Sequence, residues 1–217
     1  DTFSSRGLGD VYKRQEECVH DLNDDGIIYA EVRFAPELFG EKGLTLDEVI
    51  AAVLQGFESG MRDREIIVKG ILCAMRSSDR STEIAEAAIS FMDKGVVGFD
   101  IAGPEIDFPP RIHRQAFEIA HRNNLPITIH AGEAAGPEYI EEALTICHAS
   151  RIGHGTSARE KILGNGQAIT SYGIATELVE RGIALEVCPT SNIHTGIADS
   201  LHSHPVNTSV SYTHLTL

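Results

Sequence analysis

Residues 127–133 read ITIHAGE, an apolar run that ends in His130 and is followed by Gly132 and Glu133. A histidine closing a strand holds its imidazole at the strand mouth, where the neutral ring can bind a metal. Gly132 turns the backbone without steric cost and brings Glu133 towards the same place. A carboxyl group in such a pocket has its pKa raised and can donate a proton near neutral pH. Taken alone, the pair also fits a solvated strand end. The next apolar run ends in RIGHG, with His154 between two glycines. Adjacent strands lie about 4.8 Å apart, so His130 and His154 can address one pocket.

Two weaker stretches accompany these. DIAGPE, residues 100–105, offers Gly103, either as a source of free backbone N–H groups for a flat ligand or as a loop glycine at positive φ. EVCPTSN, residues 186–192, reads structurally as a strand ending in a proline-terminated turn. The remaining histidines carry less chemistry. His113 and His121 share an arginine-rich helix and read as solvated, His148 falls at a helix end, and His194 in a polar loop. His202 and His204 have chelating H-x-H spacing, but no apolar strand presents them.

The elements that must position these residues alternate. Apolar runs at 27–34, 66–74, 96–102, 126–130, 151–154 and 183–187 are each followed or preceded by a helical pattern. Leu46, Val49, Ile50, Val53, Leu54 and Phe57 form one helical face, with Thr45 and Glu48 spaced as a capping box. Ser81 is the expected cap of the next helix and Gly95 its stop. Pro137 suits the first turn of a helix after ITIHAGE. Apolar strands alternating with amphipathic helices predict a parallel sheet covered by helices. Arg33, Arg76, Asp100, His130, His154 and Asn192 follow six different strands, which favours a barrel with its site at the C-terminal face. No G-x-G-x-x-G opens a helix, so dinucleotide binding has no support. The expected fold class is α/β, a partial (β/α)8 TIM barrel with about six of eight units.

Composition narrows the ligand. The chain has 217 residues, 42% hydrophobic and 23% charged, enough for one sizeable core. Its formal net charge of −14 repels phosphate backbones and argues against nucleic acid. No apolar run reaches the roughly 18 residues of a membrane span, and the first residues lack a signal peptide's apolar stretch. Cys18, Cys73, Cys147 and Cys188 lie far apart and read as reduced thiols, which points to the cytoplasm.

The combination of YAEVRFAPEL, GLTLDEVIAAV, GVVGFDIAGPE, FPP, ITIHAGEAAGPEYIEEAL, RIGHG, LEVCPTSN and HPV, colinear over residues 16–207, resembles adenosine deaminases of the bacterial type, in the metal-dependent amidohydrolase superfamily. That resemblance implies a barrel that binds one Zn2+ and converts adenosine and deoxyadenosine to inosine products plus ammonia. By the same resemblance, His130 is a zinc ligand and Glu133 gives a proton to purine N1. His154 orients the attacking water and helps deprotonate it, and Gly103 meets the purine through its backbone. An adenine or modified-nucleoside deaminase is the neighbouring alternative, and a non-catalytic nucleoside-binding barrel is the alternative outside enzymes. The cytidine-deaminase pattern of H-x-E with P-C-x-x-C is absent.

The chain departs from the family at both ends. The family's H-x-H pair on a first strand and its aspartate after a last strand have no match here. Residues 1–15 and 208–217 resemble translated sequencing adapter, leaving 16–207 as the expected barrel segment. With one zinc ligand of the usual three, the chain is expected to bind zinc poorly and to be close to inactive. An unclosed barrel leaves two sheet edges, and marginal stability is the expected consequence.

Overall fold

The computed structural model describes residues 2–158, 161, 162, 168, 169 and 174–206. The expected terminal segment 208–217 lies outside them. The chain divides into two compact units, Asp1–Ala102 with Gln115–Pro126, and Gly103–Arg114 with Ile127–Leu217.

In the first unit, β1 (Tyr29–Phe34), β2 (Ile67–Met75) and β3 (Val96–Ala102) form a parallel sheet in that order. β2 is buried over most of its length, and the near-continuous apolar sequence of β2 and β3 suits strands covered by helices. The helix α1 (Thr2–Asp24) packs on α2 (Leu46–Met61), while α3 (Ser81–Ser90) contacts β2 and β3. Val49, Ile50, Val53 and Phe57 of α2 are buried, as their helical spacing predicts. Thr45 and Glu48 make the expected capping box: the Thr45 hydroxyl accepts the Glu48 N–H at 3.3 Å, and the Glu48 carboxylate accepts the Thr45 N–H at 2.9 Å. Phe99 of β3 stacks at a tilt on Phe117 of α4 (Arg114–Arg122), ring centroids 5.3 Å apart.

In the second unit, β4 (Thr128–Ala131), β5 (Arg151–His154) and β8 (Ala184–Glu186) form another parallel sheet. Between β5 and β8 lies a short antiparallel pair, β6 (Lys161–Ile162) and β7 (Ala168–Ile169). The helices are α5 (Pro137–Thr145), α6 (Ile174–Glu180) and α7 (Pro189–His194). Pro137 occupies the first turn of α5, as expected. The six parallel strands of the two sheets coincide with the six apolar runs of the sequence.

Several local expectations need correction. Ser81 is the first residue of α3 rather than its cap. Arg80 holds the cap position without a side-chain cap bond and instead pairs with Glu83 at 2.8 and 2.9 Å. Gly95, at φ +118°, ends a separate 3-10 turn after α3. His113 is buried at 3% exposure, because the chain enters α4 through a 3-10 turn, Pro110–His113, that turns this ring inward. Pro189 does not end a turn. It opens α7, where its missing N–H costs nothing, and His194 closes that helix. α1 has no counterpart in the sequence reading. No helix among the described residues is long and apolar enough to cross a membrane.

Candidate active site

The site residues of the second unit sit where β4 and β5 end. Register sets His130 opposite Gly153, and Ala131 opposite His154. A Cβ on Gly153 would stand 3.2 Å from His130 Cα and 3.4 Å from its Cγ, so glycine there leaves room for the ring. The imidazoles of His130 and His154 lie 5.3 Å apart between centroids, tilted by 48°. Both strands then turn through the left-handed region, at Gly132 with φ +68° and at His154 itself with φ +67°. That conformation is uncommon for a residue with a side chain and is typical of functional turns.

Gly132 is also a packing requirement. A Cβ there would meet Ile140 Cδ1 and Ser157 Oγ at 2.5 Å. The turn it begins is held by Glu105, whose buried carboxylate accepts the N–H groups of Gly132, Ala134 and Ala135 at 2.5, 2.7 and 2.9 Å. Three backbone donors on one carboxylate are charge-assisted bonds, stronger than neutral ones. Thr156 closes the other side by donating to the Gly132 carbonyl at 2.7 Å. The loop carrying Glu133 is therefore tied at both ends.

Glu133 and His154 meet. Glu133 Oε2 stands 3.5 Å from His154 Nε2. Behind them sits Asn192 of α7, fully buried, whose Nδ2 lies 3.0 Å from Glu133 Oε1 and 3.1 Å from His154 Nδ1. Its Oδ1 faces His204 Nε2 at 3.0 Å, and His204 is itself buried. Burial pushes the His204 imidazole below its ordinary pKa, because desolvation disfavours the charged ring.

Of the four residues singled out by sequence, His130, Glu133 and His154 are thus brought together. Gly103 is exposed and at φ +97°, so the turn alone accounts for a glycine there. Sequence reasoning missed Glu105, Asn192 and His204 as site residues. Glu105 lies inside DIAGPE, Asn192 ends CPTSN, and His204 belongs to an H-x-H whose spacing points to chelation rather than to an amide. Among the described residues no group of three or more His, Cys, Asp or Glu is placed to hold a metal ion.

Parallel strands with helices between them, and polar residues at the ends of β4 and β5, define an α/β fold of the barrel type, present here in part. The chain aligns with an adenine deaminase from Arthrobacter aurescens at a TM-score of 0.82 and 22% identity, covering 94% of this chain and 60% of that one. An Arabidopsis ADAL structure complexed with IMP aligns at 0.79 and 27% identity, covering 94% and 59%. Residues 6–213 match the adenosine deaminase family, and the chain belongs to that family. It is 47% identical over 201 residues to adenosine deaminase of Mycolicibacterium vanbaalenii, covering 90% of this chain and 56% of the relative. The adenosine deaminase of Mycobacterium leprae is 49% identical over 195 residues, covering 87% and 54%. The chain spans just over half the length of these relatives.

Proposed function

We propose that this chain carries the proton donor and the water-orienting histidine of a hydrolytic deaminase that removes the 6-amino group of adenosine or deoxyadenosine. The observation that carries this is the Glu133–His154 pair, 3.5 Å apart with its outer atoms held by one buried amide, beside His130. Family membership supports the substrate class. A carboxylic acid held in a partly buried site can give its proton to a purine ring nitrogen, which makes the adjacent carbon electrophilic. His154 then directs the attacking water, and the balance consumes one water and releases one ammonia. Gly103 is assigned to the purine face through its backbone, on the family resemblance.

His130 is proposed as one ligand of a zinc ion; an amidohydrolase from Burkholderia ambifaria of similar fold has bound Zn. The described residues do not complete a three-ligand set, so the chemistry assigned to this chain rests on Glu133 and His154. The ligand is a small molecule rather than a nucleic acid, given the charge of −14. None of the four cysteines is in a disulfide, in keeping with a cytoplasmic protein.

The test uses the full-length gene product, with source DNA sequenced across both ends of this reading frame. That sequencing also decides whether residues 1–15 and 208–217 belong to the native protein. Adenosine turnover is expected, and Glu133→Gln should lower kcat by about 10²–10⁴-fold with little change in KM. No turnover of adenosine by the unmodified enzyme would sink the reading. The adenine deaminase and N6-methyl-AMP deaminase relatives in fold favour one alternative, preference for adenine or a modified nucleotide, which competition between these substrates and adenosine decides.

A further inference from the structure

The hydrogen bonds behind the site fix where protons reside, beginning at a backbone amide. Val206 N lies 3.0 Å from His204 Nδ1. A backbone N–H can only donate, so Nδ1 of His204 is the unprotonated nitrogen and the ring proton sits on Nε2. That N–H points at Asn192 Oδ1, 3.0 Å away, and so selects the carbonyl side of the amide. The Asn192 NH2 group must then face the other way, towards Glu133 Oε1 at 3.0 Å and His154 Nδ1 at 3.1 Å. It has two protons and serves both acceptors. His154 Nδ1, receiving one of them, is unprotonated, and the neutral ring carries its proton on Nε2.

We propose that Asn192 and His204 are positioning residues that lock His154 in its Nε2–H tautomer and hold Glu133 by Oε1, with Oε2 turned towards His154. The depressed pKa of the buried His204 keeps its ring in the neutral form that this arrangement needs. The consequence for the proposed deaminase, on which this inference rests, is specific. A His154 with its proton on Nε2 orients the attacking oxygen by donating to it, the first of the two roles that the family resemblance implies. Glu133, held by Asn192 at Oε1, keeps its other oxygen, Oε2, on the side of His154 Nε2, 3.5 Å away. Asn192 and His204 touch neither reacting atom, which makes them positioning rather than catalytic residues.

The test reads the ring nitrogens directly, in the 217-residue chain at neutral pH without substrate. Long-range 1H–15N correlation spectra of histidine-labelled protein, with His154 assigned by its loss in His154→Asn, report which nitrogen bears the proton. The expected pattern is a protonated Nε2 and a bare Nδ1. His204→Gln keeps an N–H donor near the Nε2 position and should preserve that pattern. His204→Leu removes the donor, frees the amide to rotate, and should leave His154 averaging between its two tautomers. A proton on His154 Nδ1 in the unmodified chain, whether neutral or imidazolium, overturns the proposal. So does a His204→Leu spectrum with the pattern unchanged, or loss of the pattern in both variants. No turnover is measured, so failure of the deaminase reading and failure of this one are separately visible.

Discussion

Burial of His204 ties the stability of its unit to pH. The ring is held below its ordinary pKa of 6.5 by desolvation, so the unfolded chain takes up a proton here before the folded one does. By linkage, stability rises with pH wherever the unfolded state binds more protons. The contribution is therefore fully present above pH 6.5 and is lost as pH falls through the folded value. Urea unfolding across pH 5–8 should show the unmodified chain losing stability on the acid side, with a shallower slope in His204→Gln. An identical slope in the two proteins would remove His204 from the account. Glu105 works at the same scale by a different means. Its carboxylate replaces water for three N–H groups of the loop that carries Glu133, which lets a sharp turn be buried without orphaned donors.

Among the elements, α1 and α2 cross closely. A Cβ on Gly56 would stand 2.6 Å from the Tyr12 carbonyl oxygen and 2.7 Å from Gln15 Cβ, and one on Gly60 would stand 2.6 Å from Val19 Cβ. Two glycines four residues apart lie on one helix face, so α2 presents a smooth stripe on which α1 seats its backbone. Gly56→Ala sets two effects against each other. Alanine favours an isolated helix by about 1 kcal/mol over glycine. Overpacking against a backbone atom costs about 1–3 kcal/mol, and that atom cannot swing aside. The expected outcome is net destabilisation, read as a lower thermal midpoint than the unmodified chain. A higher midpoint would show that α1 is not held there. α1 runs through residue 15 without interruption, and Tyr12 and Gln15 both contribute to this crossing.

Across the whole chain, the described residues hold no group of three or more His, Cys, Asp or Glu placed for a metal ion. His130 is the one ligand proposed among them, and structural or catalytic zinc sites use three or four protein ligands. Zinc content after dialysis against trace chelator, measured by mass spectrometry, should fall well below one per chain. One zinc per chain would show that donors outside the described set complete the site. The same assay on the full-length gene product is expected to give one.

How much of this was legible in the sequence divides along physical lines. The six parallel strands, the capping box at Thr45, Pro137 and the strand-end positions of His130 and His154 were readable. Each rests on local periodicity, backbone chemistry or spacing within a few residues. α1 escaped because Thr2–Asp24 has few apolar residues in its first half, and its seat is two glycines some 40 residues away. Ser81 was misread by one residue and His113 falls in the 3-10 turn before α4 instead of on the helix, since element ends depend on which backbone groups find partners. Glu105, Asn192 and His204 lie within DIAGPE, CPTSN and HPV, but nothing in those stretches says which polar atom meets which. Their roles arise when α7, the loop after β3 and the turn before Val206 converge on the ends of β4 and β5. The sequence by itself determined which side chains could do chemistry; only tertiary structure decided which polar atoms face each other, and so where the protons are held.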